Sequence, residues 1–370
     1  MRVLFVFGTR PEAVKLCPLV LAMCERGGFE PRVCVTAQHR EMLDAILTAF
    51  GVEAQIDLNL MRPGQTLAGL TARIIKALDP VLVEEQPDFV LVQGDTTTTF
   101  AAALAAFYRR IRVGHVEAGL RTGDVAEPFP EEMNRVLTTR LAALHFAPTA
   151  RAAENLIGER VARDTIHVTG NTGIDALQYI RGRLERGEIA GYAGPLPPAG
   201  KLVVAMTAHR RESFGPGFEQ ICDAALRLAA RGDVEIIYPV HPNPNVRETV
   251  HRRLRGVPGI TLLEPLEYVP FVDLMRRADV LLTDSGGVQE EGPSLGKPVL
   301  VMRDKTERQE AVEAGVAKLV GTDPDRITAA VAEALGNAKK GSGREAVDSP
   351  FGDGRASVRI LDIIQSFQSK

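Results

Sequence analysis

Carboxylates able to move a proton gather in the first half of this 370-residue chain, at strand ends and at a helix start. Asp95 follows Phe89–Gln93, Glu117 closes the run that starts at Arg112, and Glu131 opens a helix after Glu127-Pro128-Phe129-Pro130. Clustered carboxylates raise one another's pKa, which is one route to a base and an acid side by side. Plainer readings stand beside this one. Asp95 before a threonine run is a common N-cap, Glu131 and Glu132 together cap the helix they open, and Glu131 and Arg135 have the spacing of a supportive surface pair.

Anion-binding groups recur at similar places. Gly8-Thr9-Arg10-Pro11-Glu12-Ala13-Val14 follows Val3–Phe7, Pro11 suits a first helical turn, and Arg10 and Lys15 add positive charge where helix-start amides attract anions. His209-Arg210-Arg211 follows Leu202–Thr207, and Ser285-Gly286-Gly287 follows Val280–Thr283, where two glycines let backbone amides approach a phosphate. Glu291 one turn on could accept from a ribose diol, or be a solvated Glu that suits the helix dipole. Arg303 and Arg308 flank Thr306-Glu307 as further cations, and Arg121 follows Glu117. No GxGxxG, GxxxxGK[ST] or HExxH occurs, so neither a dinucleotide fingerprint, a P-loop nor a zincin metal site is indicated. What remains is acid–base chemistry on a phosphate-bearing ligand, with no cofactor and no metal implied.

The elements that must position these groups are short Val/Leu/Ile runs alternating with Ala/Leu-rich stretches. Strands are expected at Val3–Phe7, Arg32–Thr36, Phe89–Gln93, Arg112–Glu117, Leu202–Thr207, Glu235–Val240, Val280–Thr283 and Pro298–Met302. Continuous apolar strands separated by helices imply parallel sheets covered on both faces, and such sheets bind ligands at the carboxyl ends of their strands. The Gly/Pro-rich segment Gly187–Gly200 lies between the two sets and reads as a loop beside an inter-domain hinge. The expectation is an α/β protein of two doubly wound domains facing a cleft. The amphipathic stretch Ala356–Phe367 is compatible with either domain.

Composition narrows the partners. With 44 Lys+Arg against 47 Asp+Glu the net charge is −3, and no basic block is long enough to track a nucleic-acid backbone. The apolar runs are strand-sized, so neither a membrane span nor a signal segment is indicated, and a cytoplasmic location is expected. Cys17, Cys24, Cys34 and Cys222 form no CxxC pair; Cys17 and Cys24, seven apart on one helix face, read as core packing.

Eight segments, GTRPEAVK, VTAQHREMLD, VQGDTTTT, GHVEAGLRTGD, PFPEEMNR, TAHRRESFG, YPVHPNPNV and DSGGVQEEGPSLGKPVLVMRDKTERQEA, closely resemble the non-hydrolysing UDP-N-acetylglucosamine 2-epimerases, from about residue 1 to residue 365. The resemblance implies a GT-B-like fold of two Rossmann-like domains. Residues 1–170 plus 356–370 would form the N-terminal domain with the acid–base groups, and residues 171–355 the C-terminal, UDP-binding domain. It implies cofactor-free interconversion of UDP-GlcNAc and UDP-ManNAc, supplying ManNAc units for surface polysaccharide, by a homodimer. By resemblance Asp95, Glu117, Glu131 and His209 are the catalytic candidates. Arg10, Lys15, Leu266, Phe271, Ser285, Gly286, Gly287, Glu291 and Arg308 match substrate-binding positions, with Phe271 and the Leu266 backbone in the uracil pocket. Gln38, His39, Gln65 and His241 match a second, allosteric UDP-GlcNAc site; Glu41 and Gly64 depart from it, standing where many activated members have Gln and Arg.

Three rival functions share these features: a GT-B glycosyltransferase using UDP-GlcNAc, a hydrolysing epimerase that releases free ManNAc, and a non-catalytic UDP-sugar sensor. A fold and a nucleotide site do not specify a reaction. The density of carboxylates between Asp95 and Glu132 favours proton transfer on the bound sugar.

Overall fold

Strands made of unbroken Val, Leu, Ile and Phe bury both faces, and this chain gives them helices on both sides. The computed structural model describes residues 1–36, 40–62, 64–197, 200–339 and 349–368. The chain divides into two compact units, Met1–Tyr179 with Phe351–Lys370, and Ile180–Pro350.

The first unit starts with β1 (Arg2–Phe7), α1 (Arg10–Arg26), β2 (Glu30–Val35), α2 (Arg40–Phe50), β3 (Ile56–Asp57), α3 (Leu67–Glu85), β4 (Phe89–Gln93) and α4 (Thr97–Tyr108). It continues with β5 (Arg112–Val116), α5 (Glu131–Leu141), β6 (Leu144–Ala147), α6 (Ala150–Gly158), β7 (Ile166–Val168) and α7 (Thr172–Glu185). The boundary between the units falls inside α7. Its seven strands form a parallel sheet in the order β3-β2-β1-β4-β5-β6-β7. On one side, Leu70, Ile74, Leu78 and Leu82 recur every four residues along α3 and pack with the alanines of α4 over Leu4, Val6, Val90 and Val92. The sheet centre leaves no room for a side chain at Gly114, where a Cβ would lie 2.6 Å from the Phe89 ring and 2.7 Å from Leu91.

The second unit runs β8 (Leu202–Thr207), α8 (Pro216–Ala229), β9 (Val234–Pro239), α9 (Pro244–Leu254), β10 (Ile260–Leu263), α10 (Tyr268–Arg277), β11 (Val280–Thr283), α11 (Gly286–Ser294), β12 (Val299–Val301), α12 (Gln309–Glu313), β13 (Ala317–Leu319) and α13 (Pro324–Lys339). Its six parallel strands take the order β10-β9-β8-β11-β12-β13 over a core that includes Tyr238, Phe218 and Met206. The last helix, α14 (Ala356–Gln368), belongs to the first unit, where its buried Ile360, Leu361 and Ile364 pack with α1.

Both sheets therefore reverse their winding beside their first strand, between β1 and β4 and between β8 and β11. Crevices at such reversals are where doubly wound sheets bind ligands. The eight expected strands are all present; β3, β6, β7, β10 and β13 are additional. Cys24 departs from expectation: it is exposed, while Cys17 on the same helix is buried. Cys17 lies within the buried stretch of α1, which ends at Met23, and Cys24 follows it in the last turn. Among the described residues no helix is long and apolar enough to cross a membrane.

Candidate active site

In the first unit the winding reversal is held by one buried carboxylate that the sequence reading did not single out. Glu12 Oε2 accepts from the amides of Gly8 (3.1 Å) and Thr9 (2.8 Å) and from Thr9 Oγ1 (2.7 Å). Its Oε1 accepts from Thr96 Oγ1 (2.8 Å) and Thr99 Oγ1 (3.1 Å). The turn leaving β1 and the start of α4 are thereby tied together, and burial pushes the Glu12 pKa up against these hydrogen bonds. Arg10, in the first turn of α1, is half-buried and has no ion-pair partner among the described residues.

Asp95 and Glu117 stand at the ends of the adjacent strands β4 and β5. Asp95 is not the cap of the threonine run: Thr96 is, its Oγ1 accepting from the Thr99 amide at 3.1 Å. Instead Arg135 Nη2 donates to Asp95 Oδ2 at 2.5 Å, and Asn134 Nδ2 to the Asp95 carbonyl at 2.9 Å. Glu117 has a φ of 63°, a left-handed bend that costs a side-chain-bearing residue about 1–2 kcal/mol. The bend brings its carboxylate back toward β4, where a Cβ on Gly94 would lie 3.6 Å from Glu117 Oε2. Lys15 and Gln93 both donate to that carboxylate. Behind them the buried His115 places Nε2 2.7 Å from the Gly94 carbonyl, and burial drives its pKa down to about 3.

Glu131 begins α5, one turn before the Asn134 and Arg135 that hold Asp95. The capping expectation for this helix fails. Pro130 occupies the N-cap, and the buried Glu132 turns back to accept from the amides of Thr122 and Gly123, at 3.1 Å each. The surface pair expected between Glu131 and Arg135 is also absent, because Arg135 lies between Asp95 and Glu132, 3.2 Å from the latter. Arg121 is engaged by Glu159 at 2.5 Å.

The second unit repeats the plan with different chemistry. Asp284, fully buried at the end of β11, accepts from the His209 amide (2.6 Å) and the Arg210 amide (2.8 Å), so the ends of β8 and β11 are joined. Ser285 is the N-cap of α11, and the first-turn amides of Gly286 and Gly287 have no intrahelical acceptor. Arg308 lies flat on this turn. A Cβ at Gly286 would sit 2.9 Å from the Arg308 Cζ, so only glycine admits the guanidinium there. Arg308 is oriented by Glu290 (2.9 Å), and its amide by Thr306 Oγ1 (3.1 Å).

Arg303 does not supply the free cation that its position suggests. Its buried guanidinium is shared by Glu212 (2.5 Å) and Glu307 (3.0 Å). Burial opposes ionisation of Glu307, yet the guanidinium brings its pKa down to about 2. Leu266 precedes α10 and Phe271 lies in its first turn. Glu291 of α11 approaches the phenol of Tyr268, the first residue of α10, whose pKa burial first and that carboxylate second hold well above its ordinary value. Of the positions matched to a second ligand site, Gln65 lies just before α3, hydrogen-bonded by Arg73, and His241 follows β9. Gln38 and His39 lie outside the described residues. Among the described residues no group of three or more His, Cys, Asp or Glu is arranged to hold a metal ion.

The sequence profile of the UDP-N-acetylglucosamine 2-epimerases matches residues 22–365. The chain belongs to this family. It is 54% identical over 372 residues to the UDP-N-acetylglucosamine 2-epimerase of Escherichia coli K12, covering 99% of both chains. Its structure is similar to that of the Neisseria meningitidis UDP-GlcNAc 2-epimerase bound to UDP-GlcNAc, with a TM-score of 0.89, 46% identity, and 99% and 100% of the two chains covered. The fold is GT-B-like, two Rossmann-like parallel-sheet domains. At the level of fold alone it extends to a glycotransferase of kitacinnamycin at 16% identity and a TM-score of 0.62.

Within this family fold, further residues hold others in place: Glu12, Gln93, Asn134, Asp284 and Glu290, together with Arg135, which pairs with Asp95 rather than Glu131. A buried acidic residue one turn into a helix is the signal available for Glu12 and Glu290. The others pair across loops, and no spacing rule connects them.

Proposed function

We propose that this protein interconverts UDP-GlcNAc and UDP-ManNAc, without a cofactor and without releasing free ManNAc. The C2 proton of a 2-acetamido sugar has no adjacent carbonyl to acidify it, so direct deprotonation is slow and a leaving group must help. A base takes the C2 proton while the C1–O bond to UDP breaks on the opposite face, giving 2-acetamidoglucal and UDP. UDP oxygen then re-forms the bond to C1 as a proton is delivered to the other face of C2, which inverts that centre.

The observation that carries this reading is the joining of Asp95 and Glu117 at neighbouring strand ends, with Glu131 on the helix that holds Asp95. Arg10, Lys15 and the Ser285–Gly287 turn with Arg308 supply the charge and amides that departing UDP requires, and His209 stands beside that turn on the Asp284 carboxylate. Leu266, Phe271 and Glu291 are assigned to the nucleoside. The diphosphate turn belongs to the second unit and the carboxylates to the first. We assign the enzyme to the cytoplasm, consistent with its four free cysteines, and its product to surface polysaccharide synthesis. A homodimer is supported by the exposed Val83, Phe107, Tyr108 and Leu137 on the contiguous helices α3, α4 and α5.

Incubation with UDP-GlcNAc alone, followed through the anomeric NMR signals, tests the reading. UDP-ManNAc at equilibrium supports it. Free ManNAc plus UDP indicates the hydrolysing reaction, and an unchanged spectrum indicates a transferase or a sensor. In D2O the product should carry deuterium at C2; its absence would exclude the exchange of that proton with solvent.

A further inference from the structure

We propose that Asp284 is a positioning residue whose buried carboxylate keeps the proton of His209 on Nδ1 and so presents Nε2 to the ligand. The proposal rests on the reading above, in which His209 acts on the bound UDP-sugar.

The two carboxylate oxygens of Asp284 divide their work. Oδ2 accepts from the main-chain amides of His209 and Arg210, at 2.6 and 2.8 Å, and fixes the backbone from which the ring projects. Oδ1 is buried and accepts no hydrogen bond among the described residues, and His209 Nδ1 makes a 3.2 Å ion-pair contact with it. If the ring carried its proton on Nε2, a lone pair on Nδ1 would face a buried carboxylate oxygen. With the proton on Nδ1, an N–H dipole faces the carboxylate oxygen instead, which the electrostatics favour, since a buried acceptor without a donor is costly.

The surroundings leave the ring little freedom. Tyr238, fully buried, donates from its hydroxyl to the carbonyl of Ala208 at 3.1 Å, and Thr207 and Thr283 join β8 to β11 through hydroxyls 2.6 Å apart. The His241 ring stacks on His209 with centroids 5.2 Å apart and planes 18° apart. His241 Nδ1 is itself occupied, accepting from the Asn243 amide at 3.1 Å. Backbone, ring plane and Nδ1 are thus all set, and Nε2 is the atom left for a ligand.

The charges acting on His209 are Asp284 at the end of β11, Arg210 on its own loop, His241 after β9 and Arg303 after β12. Burial lowers its pKa, the Asp284 carboxylate works against that, and Arg210, His241 and Arg303 add to the lowering. At neutral pH the ring is therefore neutral with an open Nε2, and an imidazolium formed by protonation there lies against the carboxylate that stabilises it. The arrangement follows the logic of a carboxylate that selects the histidine tautomer in hydrolytic triads.

The test uses the full chain labelled with 15N-histidine, first without any ligand. The wild-type His209 spectrum should show the Nδ1–H tautomer; an Nε2–H tautomer overturns the proposal. In Asp284→Asn the amide oxygen can keep the two main-chain amides while its NH2 replaces Oδ1 and donates to Nδ1, which moves the proton to Nε2. This variant should lose roughly 10²-fold or more in kcat on UDP-GlcNAc, with UDP affinity within about threefold of wild type, by analogy with Asp→Asn in a triad. The acid limb of its pH profile should move to lower pH, because the carboxylate that supports the imidazolium is gone. An unshifted profile with wild-type kcat overturns the proposal as well. If Asp284→Asn does not fold, the wild-type spectrum alone decides. An Nδ1–H tautomer in a protein that does not turn over UDP-GlcNAc would leave the positioning geometry standing and overturn the functional reading instead.

Discussion

Replacing Glu12 by alanine should destabilise the first unit by roughly 2–6 kcal/mol, because the Gly8 and Thr9 amides lose their acceptor and an unpaired buried donor costs about 1–3 kcal/mol. The hydroxyls of Thr9, Thr96 and Thr99 can turn to other acceptors and add less. Glu12→Gln keeps one oxygen for the two amides and directs its NH2 at Thr96 and Thr99, so its cost should be about 1 kcal/mol. Activity should separate the two roles of the residue. Glu12 joins the turn that carries Arg10 to the helix start that follows Asp95, and displacements near 1 Å at a reacting centre cost up to about 10²-fold. Glu12→Gln should therefore remain folded yet lose about tenfold or more in kcat. Urea unfolding and steady-state turnover of UDP-GlcNAc measure both quantities. Glu12→Ala with unfolding free energy within about 0.5 kcal/mol of wild type, and with unchanged turnover, would refute the reasoning.

Asp95→Asn, Glu117→Gln and Glu131→Gln should each lower kcat by about two orders of magnitude or more while UDP binding persists; near-normal turnover in all three would mean that the cluster is structural. Gly286→Ala should push Arg308 off the α11 turn and weaken UDP binding about tenfold, measured by calorimetry, with the fold retained by circular dichroism. The folded-state pKa of His115 lies near 3, below its ordinary 6.5, so the unfolded chain binds the extra proton and stability falls as pH drops through 6.5 toward 3. By pH 5 this amounts to about 2 kcal/mol, and His115→Gln should lack that share of the decline in urea unfolding between pH 7 and pH 5. Parallel pH dependence of the two proteins would contradict the depressed pKa.

The strands nearest the winding reversals were the most legible. Val3–Phe7, Phe89–Gln93, Leu202–Thr207 and Val280–Thr283 are unbroken apolar runs because each is covered on both faces. The additional strands β6, β7 and β13 interleave His or Lys with apolar residues, and β3 has two residues, so their pattern is too weak or too short to read alone. The candidate site divides in the same way. Asp95, Glu117, His209 and Ser285–Gly287 were legible because they directly follow such runs. What they touch was not. The engagement of Arg135 with Asp95, of Arg303 with Glu212, and of Asp284 with two amides depends on loop paths that no periodicity encodes. Glu132 was misplaced for that reason, its carboxylate serving the Thr122–Gly123 turn rather than its own helix.

The return of α14 to the first unit sets an order of events during translation. Residues Ile180–Pro350 leave the ribosome after α1 and before α14, so the apolar surface of α1 that α14 covers waits uncovered while an entire second unit is synthesised. Asp175 waits with it, since its partners are the amides of Ala356 and Ser357 that open the last helix. The first unit, although begun first, is completed last. All residues of the second unit are made before the helix that completes its host.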